Sequence, residues 1–283
     1  MEAGTMVSPP ASTTRHSPSG RRDEQTGRPA STIDPEKISV NPFRQLRDSA
    51  SASYTYLLGS NASGEAVLVD PVAEQVPLYL GLLGELGLRL AWVVDTHLHA
   101  DHRSAAADLR RRTGARVACS RASGIGDADC QLQDGDQLQW GGETLAVLAT
   151  PGHTPGCLTL RWGDRLFTGD ALLIGGCGNG GEPGGNAGAL YDSVTRRLLP
   201  LADELLVFPG HDRDGRRVSC IGDERQTNPL FSGVSRDEFI ALAHARQVAL
   251  PPQAEAMLAA NRRCGDLSTS PLTSPSEETR HDH

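Results

Sequence analysis

Three histidines and an aspartate, His97, His99, Asp101 and His102, lie close together in one short segment of the chain. Three imidazoles and a carboxylate crowded into a dry loop cannot all find neutral hydrogen-bond partners, whereas a divalent cation would satisfy them together. Neutral imidazole is the common nitrogen ligand of zinc and iron, and carboxylates supply the negative charge. The segment therefore predicts a metal site. The alternative is a helix that is capped by Asp101 and carries solvated histidines.

Three more residues of the same types each follow a predicted strand. His153 lies in a Pro-Gly-His-Thr-Pro-Gly motif, Asp170 in Thr-Gly-Asp and His211 in Gly-His-Asp. Because α/β sheets place their ligand crevices at the carboxyl ends of strands, we expect these three side chains to join the first cluster in one site. His244 falls inside a predicted helix and is interpreted as an ordinary histidine.

The elements that must position these residues alternate between strand and helix. The pattern of apolar residues predicts strands at 54–58, 66–69, 90–94, 115–119, 137–140, 144–148, 158–162, 165–167 and 205–208. It predicts helices at 74–86, 102–112, 190–201, 236–246 and 253–262. Mixed hairpins and crossover helices indicate one α/β unit with the architecture of a layered sandwich.

Composition limits the partners and the compartment. The 283-residue chain has a formal net charge of −8, which argues against nucleic acid as its main partner. No apolar run approaches the roughly 20 residues that a membrane span needs. The six cysteines form no Cys-x-x-Cys pair and the amino terminus lacks the apolar segment of a secretory signal. We therefore expect reduced thiols and a cytoplasmic location.

Both ends of the chain differ in composition from the middle. Residues 1–41 and 266–283 are rich in Ser, Thr, Pro, Gly and charge and poor in large apolar residues. Such segments bury too little surface to offset the entropy of ordering, so we expect two disordered tails. The catalytic domain is predicted at 42–265.

The order and spacing of the motifs resemble those of the metallo-β-lactamase superfamily. The resemblance implies an αββα sandwich, an α/β fold in which two mixed sheets are flanked by helices and the metal site lies along one edge. In hydrolases of that superfamily, the positions matching His97, His99 and His153 hold one zinc ion, those matching Asp101, His102 and His211 hold another, and Asp170 bridges the two.

A narrower resemblance covers about residues 43–265. Asp-Ala-Leu-Leu-Ile from residue 170, Gly-Cys-Gly from residue 176 and Asn-Arg-Arg-Cys-Gly from residue 261 are similar to motifs of the persulfide dioxygenases, the sulfur dioxygenases of sulfide detoxification. That resemblance implies one Fe(II) per chain, an open coordination face, and oxidation of a low-molecular-weight persulfide such as glutathione persulfide by O2 to sulfite and thiol. The implied iron ligands are His97, His153 and Asp170, and His99, Asp101, His102 and His211 would then surround them.

Two observations leave alternatives open. A complete set of seven ligand residues could instead hold two zinc ions and hydrolyse a thioester, as a glyoxalase II does. The chain also departs from the family after Gly-Cys-Gly, where a glycine-rich stretch follows, and a tyrosine common after Gly-His-Asp is Arg213 here. A non-catalytic protein with a degenerate pocket is the third alternative.

The substrate pocket is expected at Thr154, Cys177, Asn179 and Arg213. A homodimer is the oligomeric state that the resemblance implies.

Overall fold

The computed structural model describes residues 40–180, 183–212, 214–246, 250 and 252–268. Over these residues, twelve strands form two six-stranded sheets. The strands are β1 (Phe43–Arg47), β2 (Tyr54–Ser60), β3 (Glu65–Val69), β4 (Arg89–Val94), β5 (Arg116–Ser120), β6 (Cys130–Leu132), β7 (Gln137–Trp140), β8 (Glu143–Ala149), β9 (Leu158–Trp162), β10 (Arg165–Gly169), β11 (Leu206–Pro209) and β12 (Ser219–Cys220). The helices are α1 (Val76–Glu85), α2 (Ala106–Thr113), α3 (Ala187–Ser193), α4 (Ile221–Thr227), α5 (Arg236–Ala245) and α6 (Ala254–Asn261).

The first sheet runs in the order β1-β2-β3-β4-β5-β6. Its first three strands are antiparallel neighbours, and the strands from β3 to β6 are parallel. Parallel neighbours need a crossover connection, which α1 provides between β3 and β4 and α2 between β4 and β5. Helix α2 ends at Gly114, whose φ of 74° is the left-handed conformation that glycine adopts without steric cost.

The second sheet runs in the order β12-β11-β10-β9-β8-β7. Only β10 and β11 are parallel among its paired strands in the described part of the chain, and α3 lies in the connection between them. Strands β9 and β10 form the predicted hairpin, in which Gly163 has a φ of 59°. Both sheets are therefore mixed.

Apolar side chains from the facing surfaces of the two sheets form the central core. Tyr56 of the first sheet packs on Phe167 and Phe208 of the second, with ring centroids 4.8 Å and 5.8 Å away. Helices α1 and α2 cover the outer face of the first sheet, and α3 to α5 contribute to the cluster on the outer face of the second. This arrangement is the predicted αββα sandwich.

Several predicted boundaries were wrong. Helix α2 begins at Ala106 rather than at 102, because the backbone before it bonds elsewhere: Ser104 N donates to Asn261 Oδ1 and Ala105 N to Pro71 O. Helix α3 begins at Ala187 because the Asn186 side chain accepts a hydrogen bond from Ala189 N. The sequence reading also missed four short elements, namely β1, β6, β12 and α4.

The structure describes little of the two predicted tails. Residues 1–39 and 269–283 lie outside the described residues, so the disorder of the tails stays a prediction. His16, His281 and His283 lie in the same two ranges. Asn41 and Asp266, which we placed in the tails, contact Glu143 and Arg111 of the folded part. All six cysteines are free thiols. None of the described helices is both long enough and apolar enough to cross a lipid bilayer.

Candidate metal centre

Four strands end at the same edge of the sandwich, and a candidate ligand follows each of them. His97 follows β4 of the first sheet, whereas His153, Asp170 and His211 follow β8, β10 and β11 of the second. The chain therefore places the predicted residues at the carboxyl ends of strands, where open α/β sheets bind their ligands. Tyr56 also joins the sheets at this edge, since its hydroxyl donates to the carbonyl of Pro209.

His97, His153 and Asp170 come together as the sequence predicts. Their ligand atoms all lie within 4.8 Å of one another, and His153 Nε2 is 3.7 Å from Asp170 Oδ2. The rings of His97 and His153 have centroids 5.0 Å apart, and all three side chains are buried. The geometry is that of a compact three-residue group, and the assignment of these residues as metal ligands stays a prediction.

A chain of hydrogen bonds fixes the orientation of His97. Thr96 donates from its hydroxyl to Asp70 Oδ2 at 2.7 Å and from its backbone N to Asp70 Oδ1 at 2.6 Å. The Thr96 oxygen is then free to accept from His97 Nδ1, which lies 2.9 Å away. Burial lowers the pKa of His97 well below its usual value, and His99 and His153 act in the same direction. The ring is therefore neutral, with a lone pair on Nε2 for a metal.

His153 is oriented by the backbone of the Gly-Cys-Gly segment. Its Nδ1 lies 2.7 Å from the carbonyl oxygen of Asn179, to which it donates, so that Nε2 keeps its lone pair. Gly178 makes this approach possible, because a Cβ atom there would lie 2.8 Å from His153 Nδ1 and 2.5 Å from the Asp170 carbonyl oxygen. Any larger residue at position 178 would therefore clash, which explains the glycine in this motif.

His211 and Asp170 form an ion pair. His211 Nδ1 donates to Asp170 Oδ1 over 2.7 Å. Burial alone would lower the pKa of His211, but the adjacent Asp170 and Asp101 raise it well above its usual value. Burial alone would raise the pKa of Asp170, but the charge of His211 lowers it well below the usual range. Asp170 is therefore ionised and available as an anionic ligand.

His99, Asp101 and His102 form a second group, whose ligand atoms also lie within 4.8 Å of one another. His102 Nδ1 lies 2.9 Å from Asp101 Oδ2, and His99 Nε2 lies 3.2 Å from Asp70 Oδ1. In the described part of the chain, the buried atoms His99 Nδ1 and His102 Nε2 have no hydrogen-bond partner. Orphaned buried nitrogens require an explanation, and a metal ion or ordered water near either group would supply one.

The donor set of the first group fits a divalent transition metal. Two imidazoles and one ionised carboxylate supply the nitrogen and oxygen ligands and the charge that such an ion needs. His153 and Asp170 also line a pocket of about 620 Å³, so the group is open to a small molecule on that side. A two-histidine, one-carboxylate group with free positions is the arrangement that non-haem Fe(II) oxygenases use.

Comparison with known proteins agrees with this site. Residues 49–211 match the model of the metallo-beta-lactamase superfamily. The human protein named persulfide dioxygenase ETHE1, mitochondrial, is 42% identical over 226 residues, which cover 79% of this chain and 88% of that protein. The chain belongs to the persulfide dioxygenase family of the metallo-β-lactamase superfamily. It is therefore a metal-binding enzyme of this family, acting on a small molecule.

A solved structure and a more distant relative extend the comparison. The crystal structure of ETHE1 from Myxococcus xanthus superimposes with a TM-score of 0.78 at 48% identity and covers 80% of this chain and all of that one. A protein named hydroxyacylglutathione hydrolase, from Anaeromyxobacter dehalogenans, is 40% identical over 165 residues, or 56% of this chain and 61% of that protein. The persulfide dioxygenase relatives thus match over the greater length.

Two of the four residues predicted to line the substrate pocket do line it. Cys177 and Asn179 line it. Thr154 is not among the described lining residues, because its hydroxyl and backbone N face Cys157 Sγ at 3.2 Å. Arg213 lies outside the described residues. Apolar side chains from α5 and its surroundings form much of the remaining wall; they include Leu173, Ile174, Leu230, Phe239, Leu242 and Leu250.

Sequence reasoning missed four residues that support the site. Asp70 holds Thr96, and it could have been found, because it follows a predicted strand as the other acidic ligands do. Asn261 lies in a motif that we recognised without assigning it a role; its amide donates to the carbonyls of His99 and His102. Glu224 accepts from the backbone N of Gly175 beside the pocket. Ser53, which contacts the second group, carried no sequence signal.

Proposed function

We propose that the protein is an iron-dependent persulfide dioxygenase that oxidises a low-molecular-weight thiol persulfide, such as glutathione persulfide, with O2. The observation that carries the proposal is the group of two imidazoles and one carboxylate that opens into a pocket. In the overall reaction, a persulfide, dioxygen and water become a thiol and sulfurous acid, which ionises to sulfite. Similarity to the human and Myxococcus xanthus proteins supports this chemistry.

His97, His153 and Asp170 would hold one Fe(II) ion. Bound there, the ion would supply redox chemistry for the activation of dioxygen, while the electrons that reduce dioxygen come from the persulfide, whose outer sulfur is oxidised to sulfite. Thr96 and the Asn179 carbonyl hold the two imidazoles so that Nε2 of each faces the group. His211 donates a hydrogen bond to Asp170 Oδ1 and keeps the Asp170 carboxylate ionised.

The pocket wall favours a carrier with an aliphatic part and a carboxylate. Leu242 and Leu250 offer apolar surface, and Arg246 at the end of α5 has no acidic partner among the described residues. Arg216 also lines the pocket but is paired with Asp212 and Asp214 at 3.6 Å and 3.2 Å. We therefore assign Arg246 to the carrier carboxylate, as expected for a glutathione persulfide.

The experiment is an oxygen-electrode assay on protein purified without added zinc. We expect O2 uptake with glutathione persulfide, release of sulfite, and about one iron per chain, in line with a single facial group of ligands. Arg246→Gln should raise KM for the persulfide and leave the iron content unchanged. Zinc in place of iron, without O2 uptake, would reject the proposal.

A second candidate function rests on the two orphaned nitrogens of the second group. His99 Nδ1 and His102 Nε2 are the kind of donors that a binuclear zinc thioester hydrolase of the glyoxalase II type would use. Turnover of S-lactoylglutathione under anaerobic conditions, with about two zinc ions per chain, would identify that activity. The hydrogen bonds that already engage Asp101 and His211 favour the mononuclear site.

Two further expectations belong to the same proposal. A homodimer, which rests on the resemblance, and a cytoplasmic location, which rests on the sequence, remain predictions, and the human, bovine and mouse relatives carry the word mitochondrial in their names. Size-exclusion chromatography with light scattering tests the first, and imaging of the tagged full-length chain in its own host tests the second.

A further inference from the structure

Ser53 lies among three candidate ligands of a second metal ion, Asp101, His102 and His211. Its hydroxyl oxygen is 2.9 Å from Asp101 Oδ2, 3.0 Å from His211 Nε2, 3.3 Å from His102 Nδ1 and 2.7 Å from Ser51 Oγ. The side chain is buried, with 2% exposure. One small hydroxyl therefore touches all three residues that would have to share a second metal ion.

The same three residues are also bonded to one another. His102 Nδ1 and His211 Nε2 lie 2.9 Å and 3.0 Å from Asp101 Oδ2, which thus takes up to three donors including Ser53. Nitrogens that donate protons to a carboxylate have no lone pair to offer on that side, and of these two rings only His102 keeps a nitrogen, Nε2, without a partner among the described residues. A zinc ion needs its nitrogen and oxygen donors at about 2.0–2.2 Å, in the space that these hydrogen bonds fill.

The segment before β2 holds Ser53 firmly in this position. Asp48 N donates to the Ser53 carbonyl, and Ser53 N lies 3.3 Å from Ser51 Oγ. The next residue, Tyr54, donates from its backbone N to the Gly210 carbonyl, directly before His211. Ser53 and His211 also form an isolated β-bridge. The hydroxyl is therefore positioned by backbone contacts that do not depend on its own hydrogen bonds.

We infer that Ser53 limits this centre to one metal ion by closing the hydrogen-bonded network of Asp101, His102 and His211 where a second ion would bind. The inference rests on the proposed function with one iron ion. It accounts for a single ion in a chain that has all seven ligand residues. Without the hydroxyl, Asp101 Oδ2 loses one donor and the space beside it opens, so the imidazoles can turn their lone pairs inward.

The test counts metal ions in the full-length chain. Wild-type protein, Ser53→Ala and Ser53→Gly are stripped with a chelator, loaded with excess zinc and desalted, and zinc is measured by elemental analysis and by calorimetric titration. We expect about one zinc ion per chain in the wild type and about two in each variant, the full complement of a binuclear site. Because an unfolded chain binds zinc through its six free thiols, circular dichroism must show that each variant is folded before its zinc is counted.

Ser60→Ala is the matched control. Ser60 is a buried serine at the other end of β2, where its hydroxyl donates to the Gly141 carbonyl, and the variant should bind as many ions as the wild type. One ion in both Ser53 variants and in the wild type overturns the inference and leaves the dioxygenase function standing. Two ions in the wild type overturn the inference, and absence of O2 uptake by the same protein after loading with Fe(II) in place of zinc then rejects the proposed function as well.

Discussion

His211 donates from Nδ1 to Asp170 Oδ1 over 2.7 Å, and its other nitrogen lies 3.0 Å from Asp101 Oδ2. One imidazole thus bridges a carboxylate of the first ligand group and a carboxylate of the second. Because both ring nitrogens are engaged by carboxylates, we expect His211 to be a charge partner rather than a metal ligand. The distinction has a consequence for metal content.

Replacement of His211 should separate metal binding from turnover. We expect His211→Gln to retain iron and to lose about 10- to 100-fold in turnover, the usual effect of removing a partner that orients a ligand. His153→Ala should lose iron, because its Nε2 belongs to the ligand group. Iron content by elemental analysis and O2 uptake measure the two effects. Equal iron loss in both variants would instead indicate that His211 ligates a second ion.

Thr96 should govern metal affinity without being a ligand. Thr96→Val keeps the shape of the side chain and removes the oxygen that joins His97 Nδ1 to Asp70. The His97 ring would lose its orientation, so we expect the affinity for Fe(II) or zinc to fall by about 10- to 100-fold. Competition with a chromophoric chelator measures it. Thr159→Val is the control, because the hydroxyl of Thr159 contacts Thr150 rather than a ligand; an unchanged affinity in Thr96→Val would contradict the prediction.

The ligands could be predicted from the sequence because strand ends mark them. Each apolar run ends where its chain leaves the sheet, so His97, His153, Asp170 and His211 could be assigned to one edge without coordinates. The start of α2 could not, because it depends on Asn261, a residue far along the chain that engages Ser104 N. Long-range contacts of this kind leave no local periodicity.

The role of Ser53 escaped sequence analysis for a similar reason. It precedes β2 and lies 48 positions before Asp101 and 158 before His211, so its neighbours become apparent only when the two sheets pack together. The substrate wall was also missed, since the apolar residues of α5 have the pattern of any amphipathic helix. Thus the meeting of the candidate ligands at one edge was predictable, whereas the residues that contact them and line the pocket were not.

Asn261 should stabilise both the fold and the metal centre. Its side chain accepts from Ser104 N at 2.9 Å and donates to the carbonyls of His99 and His102 at 2.9 Å and 2.8 Å. Asn261→Ala leaves three buried backbone groups unsatisfied. Since each such group costs about 1–3 kcal/mol, we expect a loss of about 3 kcal/mol or more in the free energy of unfolding. Urea denaturation measures it.

A stability-matched control distinguishes the local effect of Asn261 from general weakening. Leu83→Ala removes a buried leucine of α1 that is not a candidate ligand, at a cost of about 2–5 kcal/mol. We expect Leu83→Ala to retain wild-type metal affinity and Asn261→Ala to bind metal more weakly. The same metal affinity in both variants would show that Asn261 stabilises the fold without a separate effect on the metal centre.

Stability should fall at alkaline pH, partly because of Cys157. Burial raises the pKa of this thiol from the ordinary 9.0 to about 12. The folded chain therefore keeps the proton while the unfolded chain releases it, and the stabilisation is fully present below about pH 9 and is lost as the pH rises toward 12. One such group contributes a slope of about −1.4 kcal/mol per pH unit in that window.

Urea denaturation at several pH values tests this prediction. In Cys157→Ala, the free energy of unfolding should fall less steeply with pH by that amount. Ser60→Ala, which removes no titrating group, should change the free energy of unfolding without changing its slope, and an unchanged slope in Cys157→Ala would show that the thiol ionises equally in both states.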